Sequence, residues 1–110
     1  MKLPNRNKAT VPTNKLTKYL LSETHPRGKS KARFFLDAGF KTSNYSALSK
    51  ALKKVAQNAD VTGKVSSVHG EKYVLDAMIE SPTGKTMKVR TIWIIDKGQK
   101  RPRFVTAYPV

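Results

Sequence analysis

Apolar residues recur at helical spacing in the first half of this chain and at alternating spacing in the second, and the change falls near residue 60. Thr13 is suited to cap a helix in which Leu16, Tyr19 and Leu20 share a face, and that pattern runs out before His25-Pro26. A second short helix is predicted behind a Ser30 cap, with Ala32, Phe35 and Leu36 inward and Gly39 as its stop. Thr42 or Ser43 opens the third and longest, whose stripe is Tyr45, Leu48, Leu52 and Val55 and whose Lys50, Lys53 and Lys54 face outward.

Residues 61–69 and 71–80 read as two strands joined near His69-Gly70, residues 86–95 as a third and residues 103–108 as a fourth. Ser81-Pro82-Thr83-Gly84 is a turn by composition. In the third strand Met87, Val89, Thr91, Trp93 and Ile95 alternate with Lys88, Arg90, Ile92 and Ile94. One face is therefore built for burial, and the other turns from basic to apolar along its length. Trp93 is expected in the core, together with Phe34, Phe35 and Phe40.

The predicted fold class is α+β, with three N-terminal helices packed on one face of a four-stranded antiparallel β-meander and a basic groove on or beside the opposite face. Residues 1–12 read as a loose lead-in, and residues 13–110 as a single compact domain with helices over about 13–57 and sheet over about 61–108. No internal repeat or low-complexity segment interrupts it.

Composition narrows the function. With 38% apolar residues the chain can bury a small core, and the absence of cysteine removes disulfides, thiol catalysis and cysteine zinc sites together. No apolar run approaches the ~18–20 residues that span a bilayer, and the start, Met1-Lys2-Leu3-Pro4-Asn5-Arg6, lacks a signal-peptide apolar region. A terminal piece of a longer exported protein is compatible with this, since such a piece needs no address of its own.

Lys and Arg number 22 against 7 Asp and Glu, a formal charge of +15, which points to a polyanionic partner. The cations recur from Lys2 to Arg103, so the charge belongs to the folded surface rather than to a tail. A membrane-surface helix needs a long basic amphipathic stretch with a broad apolar face, and the one candidate, residues 43–57, is short with ordinary core spacing. Nucleic acid is the expected partner, with an acidic protein as the alternative.

Familiar catalytic signatures are missing: no glycine-rich phosphate loop, no nucleophile elbow, no metal-spaced histidine pair. Glu23, Asp37, Asp60, Glu71, Asp76, Glu80 and Asp96 are scattered singly, whereas a two-metal nuclease clusters its carboxylates. No metal and no cofactor are expected. Histidine, lysine, arginine and hydroxyls remain, the inventory for cutting RNA without metal: a base for the 2′-OH, an acid for the departing 5′-oxygen and cations for the charge at phosphorus.

His25 lies in a loop with Arg27, Lys29, Lys31 and Arg33 where a helix begins, and a helix N-terminus attracts anions. The functional reading is a phosphate pocket with an acid/base; the alternative is a basic loop with a solvated histidine. His69, at a hairpin tip, reads as a solvated turn residue. Arg90, with Lys88 nearby, sits in a strand suited to burial and can hold a phosphate through two parallel hydrogen bonds, or else pair with Glu80 or Asp76 on the neighbouring strand. Thr106 and Tyr108 share a predicted strand face with Phe104. Their hydroxyls can contact phosphate and Tyr108 can stack on a base; the alternative places Tyr108 in the core.

The segments Tyr19-Leu20-Leu21-Ser22 through His25-Pro26, Lys31-Ala32-Arg33-Phe34-Phe35, Val89-Arg90-Thr91-Ile92-Trp93 and Val105-Thr106-Ala107-Tyr108-Pro109 resemble an uncharacterised bacterial domain family found alone and at the ends of polymorphic toxins. More distantly, element order, a basic loop histidine and a terminal Thr-x-Tyr-Pro resemble the barnase/EndoU/colicin D/RelE group of metal-independent ribonucleases. The resemblance implies a toxin cutting RNA, tRNA being a candidate target, at a cytoplasmic site of action, and an acidic immunity protein or antitoxin as partner. It implies His25 as acid or base, Lys31 and Arg33 as phosphate ligands, Arg90 as transition-state stabiliser, and Thr106 and Tyr108 as substrate-positioning groups. Barnase pairs a glutamate with its histidine. No acid here matches it, so the general base is unassigned. A nucleic-acid-binding module without catalysis, and a basic domain for an acidic cognate protein, are the alternatives.

Overall fold

The computed structural model of the chain describes residues 1–22, 24 and 29–110. Helical elements come first: α1 (Thr13–Lys15), running straight into a π-helical turn (Leu16–Leu20), then α2 (Lys29–Asp37) and α3 (Tyr45–Asn58). Four strands follow, β1 (Val61–Ser67), β2 (Gly70–Glu80), β3 (Thr86–Asp96) and β4 (Arg103–Pro109). They pair antiparallel in the order β1-β2-β3-β4, a meander. The class is α+β with the helices ahead of the sheet.

Local departures from the predicted elements have local causes. Pro12 precedes α1, so Thr13 is the first helical residue rather than the cap. The Leu21 N–H donates to the Leu16 carbonyl at 2.8 Å, a five-residue reach that widens the helix into a π turn around Tyr19. Helix α2 starts at Lys29, which places Ser30 inside its first turn instead of at the cap. It stops where Gly39 adopts φ 99°, and the Phe40 N–H then bonds back to the Phe35 carbonyl at 3.1 Å. A 3₁₀ turn over Thr42–Asn44 precedes α3 and leaves Tyr45 37% exposed, so the buried stripe is Leu48, Leu52, Val55 and Ala56.

The sheet's inner face carries the core. Trp93 and Phe104 meet edge to face at 5.4 Å, and Leu75, Val89 and Ala107 surround them with no exposed surface. Leu16, Leu20, Phe35, Phe40, Leu48 and Leu52 from the helical half join the same cluster. Each such side chain, fully buried, contributes roughly 1.5–3 kcal/mol. Phe34 is half-buried against it. Thr91 is the polar member: its hydroxyl donates to the Leu75 carbonyl at 2.8 Å and accepts from the Trp93 indole N–H at 2.9 Å. The lead-in is anchored rather than loose, because Leu3 is buried in the core and Lys2 and Thr10 form bridges to Asp60 and Arg103.

The first hairpin turns at Ser67–Gly70 with His69 exposed at its tip. Gly70 has φ 140° and presses against β3, where an added Cβ would come 2.2 Å from the Ile95 carbonyl oxygen.

The feature that shapes the outer face is a β-bulge in β4. Trp93 pairs with Phe104 while the preceding residue, Ile92, pairs with Thr106, so Val105 is an extra residue facing no partner. The phase of β4 flips there. Phe104 points to the core, and Thr106 and Tyr108 point to the opposite face beside Ile92 and Arg90. Strict alternation had put all three on one face, and the inserted residue is why they part.

Candidate functional site

Three side chains from three elements meet at the β4 side of the outer face. The Lys31 ammonium donates to the Tyr19 phenolic oxygen at 2.7 Å and to the Thr106 hydroxyl at 3.2 Å, and those two oxygens lie 3.0 Å apart. Tyr19 comes from the π turn, Lys31 from the first turn of α2 and Thr106 from beyond the bulge. The same ammonium lies 5.3 Å from the Tyr19 ring centroid and 5.8 Å from that of Tyr108, and Lys15 approaches Tyr19 at 5.4 Å. Two cations thus stand over one phenol.

Burial alone would push the Tyr19 phenol up. Hydrogen bonds from Lys31 and Thr106, with the charges of Lys31 and Lys15, outweigh it and hold the phenol below its ordinary value of 10.0. A positive charge at hydrogen-bond distance stabilises the phenolate directly. The resulting group is a readier proton donor than a free tyrosine.

Arg90 stands across the ladder from Tyr108. Its Nε and Nη2 each donate to Asp76 at 2.9 Å, so the salt bridge weighed as the alternative for this residue is formed, and to Asp76 rather than Glu80. Hydrogen bonds from Arg90 hold the Asp76 carboxyl below its usual range against the opposing effect of burial, and the pairing raises Arg90 in turn, with a smaller contribution from Tyr108. A guanidinium carries five donors. Two are spent on Asp76 and a weaker hydrogen bond goes to Tyr108, which together fix the plane of the group and leave other donors for an anion. Arg103 makes a second forked pair, to Asp96 at 2.7 and 3.1 Å.

Of the residues singled out from sequence, Lys31, Thr106 and Tyr108 come together, and Arg90 adjoins Tyr108. Lys88 is exposed on the same outer face as Arg90. Arg33, two positions after Lys31, is exposed and leaves α2 on a different side, since residues two apart on a helix do not face one another. His25 and Arg27 lie outside the described residues, as does the side chain of Lys29. Tyr19 was read from sequence as a core residue of the first helix. Its signal was the neighbouring cations Lys15 and Lys18, and the π turn that brings its hydroxyl to Lys31 has no periodicity to betray it. Among the described residues, no three of His, Asp and Glu converge as a metal site, and no helix is long and apolar enough to cross a membrane.

Among solved structures, the chain is similar to a chain of a contact-dependent growth inhibition toxin–immunity protein complex from Klebsiella pneumoniae 342, with a TM-score of 0.73, 16% identity, and coverage of 94% of this chain and 95% of that one. At that identity the likeness is one of fold. Curated protein sequences give no match. Residues 2–110 match the family described as a domain of unknown function, DUF6883, and the chain belongs to that family.

Proposed function

We propose that this protein is the toxic domain of a toxin–immunity pair and acts as a metal-independent ribonuclease, tRNA being a candidate substrate. The observation that carries the reading is the Tyr19–Lys31–Thr106 triangle with Tyr108 and Arg90 beside it: cations, a polarised hydroxyl and an aromatic face on one side of a chain of charge +15. Its overall likeness to a chain from a toxin–immunity complex supports the toxin context.

In the reaction, Lys31 and the remaining donors of Arg90 grip the scissile phosphate, and Tyr108 offers its ring to a base. His25, which lies in sequence between Tyr19 and Lys31, takes the proton of the 2′-OH. The 2′-oxygen forms a bond to phosphorus as the bond to the 5′-oxygen breaks. Tyr19 donates its proton to that leaving oxygen, and Lys31 stabilises the phenolate left behind. The products are a 2′,3′-cyclic phosphate and a 5′-hydroxyl. An acidic immunity protein covers this cationic face in the producing cell.

The test is incubation of the purified chain with total RNA in EDTA, with end analysis of the products. Cyclic phosphate ends are expected, and Tyr19→Phe, Lys31→Met and His25→Ala are each expected to lower the rate at least ~100-fold, the scale of one acid–base group. Intact RNA at high protein concentration defeats the catalytic reading. Tight RNA binding without cleavage would leave a nucleic-acid-binding module instead.

A further inference from the structure

On the far edge of the sheet from β4 lies a groove of about 740 Å³ between α3 and β2. It exists because β1 is short. Pairing between β1 and β2 ends at Val61 and Leu75, while β2 continues to Glu80, so residues 76–80 have β3 on one side and no described strand on the other. The Val74 carbonyl accepts from the Thr62 hydroxyl of β1, which identifies the even-numbered residues as those whose backbone faces outward. By alternation, Asp76, Met78 and Glu80 present their N–H and C=O groups into the groove.

An unpaired edge of this kind is a template for another strand, and natural sheets blunt it with proline, a bulge or an inward-pointing charge. The segment Asp76-Ala77-Met78-Ile79-Glu80 has no proline and lies in unbroken register with β3. Met78 stands 59% exposed at its centre. The opposite wall is α3, where Ala47 and Ala51 keep the helix surface low and leave room for a backbone.

Charge decides the occupant. Of the three acids bordering the groove, Asp60 is matched by Lys2 and Asp76 by Arg90, and Glu80 stands exposed at the end of β2, so the groove's two lysines outnumber its one acid that has no ion-pair partner among the described residues. Lys50 and Lys54, one turn apart on the α3 wall, are exposed and have no ion-pair partner among the described residues. We propose that the α3–β2 groove receives an extended, acidic segment of a partner protein as a fifth strand on β2, its backbone pairing with Asp76, Met78 and Glu80 and its carboxylates meeting Lys50 and Lys54. Nucleic acid suits the groove less, because its floor is alanine, valine and isoleucine and its hydrogen-bonding groups are backbone amides in strand geometry. The proposal stands apart from the ribonuclease reading: the groove can bind a strand whether or not the β4 side cuts RNA.

The probe is a capped ten-residue peptide of alternating Glu and Val or Thr, compared with an isomer of the same charge in which alternate apolar positions are proline and cannot extend a ladder. Backbone amide exchange of the full chain is followed by NMR. The strand-competent peptide is expected to bind at least ~10-fold more tightly than its proline isomer and to protect the Met78 and Glu80 amides. Lys50→Glu/Lys54→Glu, on the exposed side of a helix, is expected to weaken it ~10-fold, while Lys72→Glu on the sheet's outer face leaves it unchanged. Equal binding of the two peptides, or no protection at those amides, overturns the proposal. Protection that grows with protein concentration alone would assign the edge to a second copy of the chain, and protection on adding RNA would assign it to nucleic acid; either result also overturns it.

Discussion

Tyr19 and Thr106 stand 87 positions apart in sequence and meet hydroxyl to hydroxyl at 3.0 Å, with the Lys31 ammonium bonded to both. Two irregularities make the meeting. The π turn swings Tyr19 out of a plain helical stripe, and the bulge at Val105 turns Thr106 away from the core. Regular elements in both places would have separated the two side chains.

The first prediction concerns the proton on Tyr19. Ultraviolet titration, with the Tyr19 signal isolated by difference against Tyr19→Phe, is expected to show Tyr19 ionising below 10, and Lys31→Met is expected to move it upward, because the cation is lost while the burial that opposes ionisation remains. The stability linkage has a definite sign. A phenol whose folded pKa is depressed adds nothing below that pKa, gains as pH rises through it, and contributes fully above the unfolded value near 10. Indistinguishable titrations of the variant and the parent would remove Lys31 as the cause.

Thr91→Val tests the buried polar relay. The substitution preserves shape, takes the acceptor from the fully buried Trp93 indole N–H and removes one of the hydrogen bonds to the Leu75 carbonyl. A loss of about 1–3 kcal/mol is expected from urea unfolding. Trp93→Phe made on top of Thr91→Val removes one stranded donor, so the pair is expected to lose less than the sum of the singles. Strict additivity would show that the two side chains do not act together.

Much of the fold was legible because it rests on period. The alternation Met87, Val89, Thr91, Trp93 needs only a pleated strand with one dry face, and all four are buried. The stripe Leu48, Leu52, Val55 needs only a helix against that face. The site was legible as residue types but not as geometry. Lys31, Thr106, Tyr108 and Arg90 were visible as chemistry-bearing positions. A one-residue insertion such as Val105 leaves no trace in composition, and it alone decides which face two of them occupy. Whether Arg90 keeps a charge partner depended on register, and the pairing of Asp76 with Arg90 across β2 and β3 settled it.

That pairing predicts the acid limb of stability. Hydrogen bonds from Arg90 hold the Asp76 carboxyl below 3.8, so its contribution is present above the unfolded pKa and is lost as pH falls from there through the folded value. In Asp76→Asn the fall in unfolding midpoint between about pH 5 and pH 2 is expected to be shallower than in the parent. An unchanged slope would mean that the bridge does not persist in solution. The same variant frees Arg90 from its partner, and tighter but less ordered RNA binding is the expected accompaniment.

On the proposed reading, salt dependence of RNA binding is expected to separate cations that touch phosphate from those that merely surround it. Each Lys or Arg contact to a single strand adds about 0.7 to the slope of log K against log salt, because it releases that share of a condensed counterion. Lys88 is exposed on the outer face next to Arg90 in the strand, so Lys88→Ala is expected to lower the slope by about 0.7 and to weaken binding equally across sequences. Lys53, on α3 and exposed, serves as the comparison, with a slope expected to match the parent. Arg33 discriminates between two geometries. If the strand runs only over the outer face, Arg33→Ala leaves the slope alone, because the residue departs from α2 on a side that Lys31 does not share. A drop as large as that for Lys88 would mean that the RNA wraps past the β4 edge onto the outer surface of α2, and would enlarge the interface to include both helix faces.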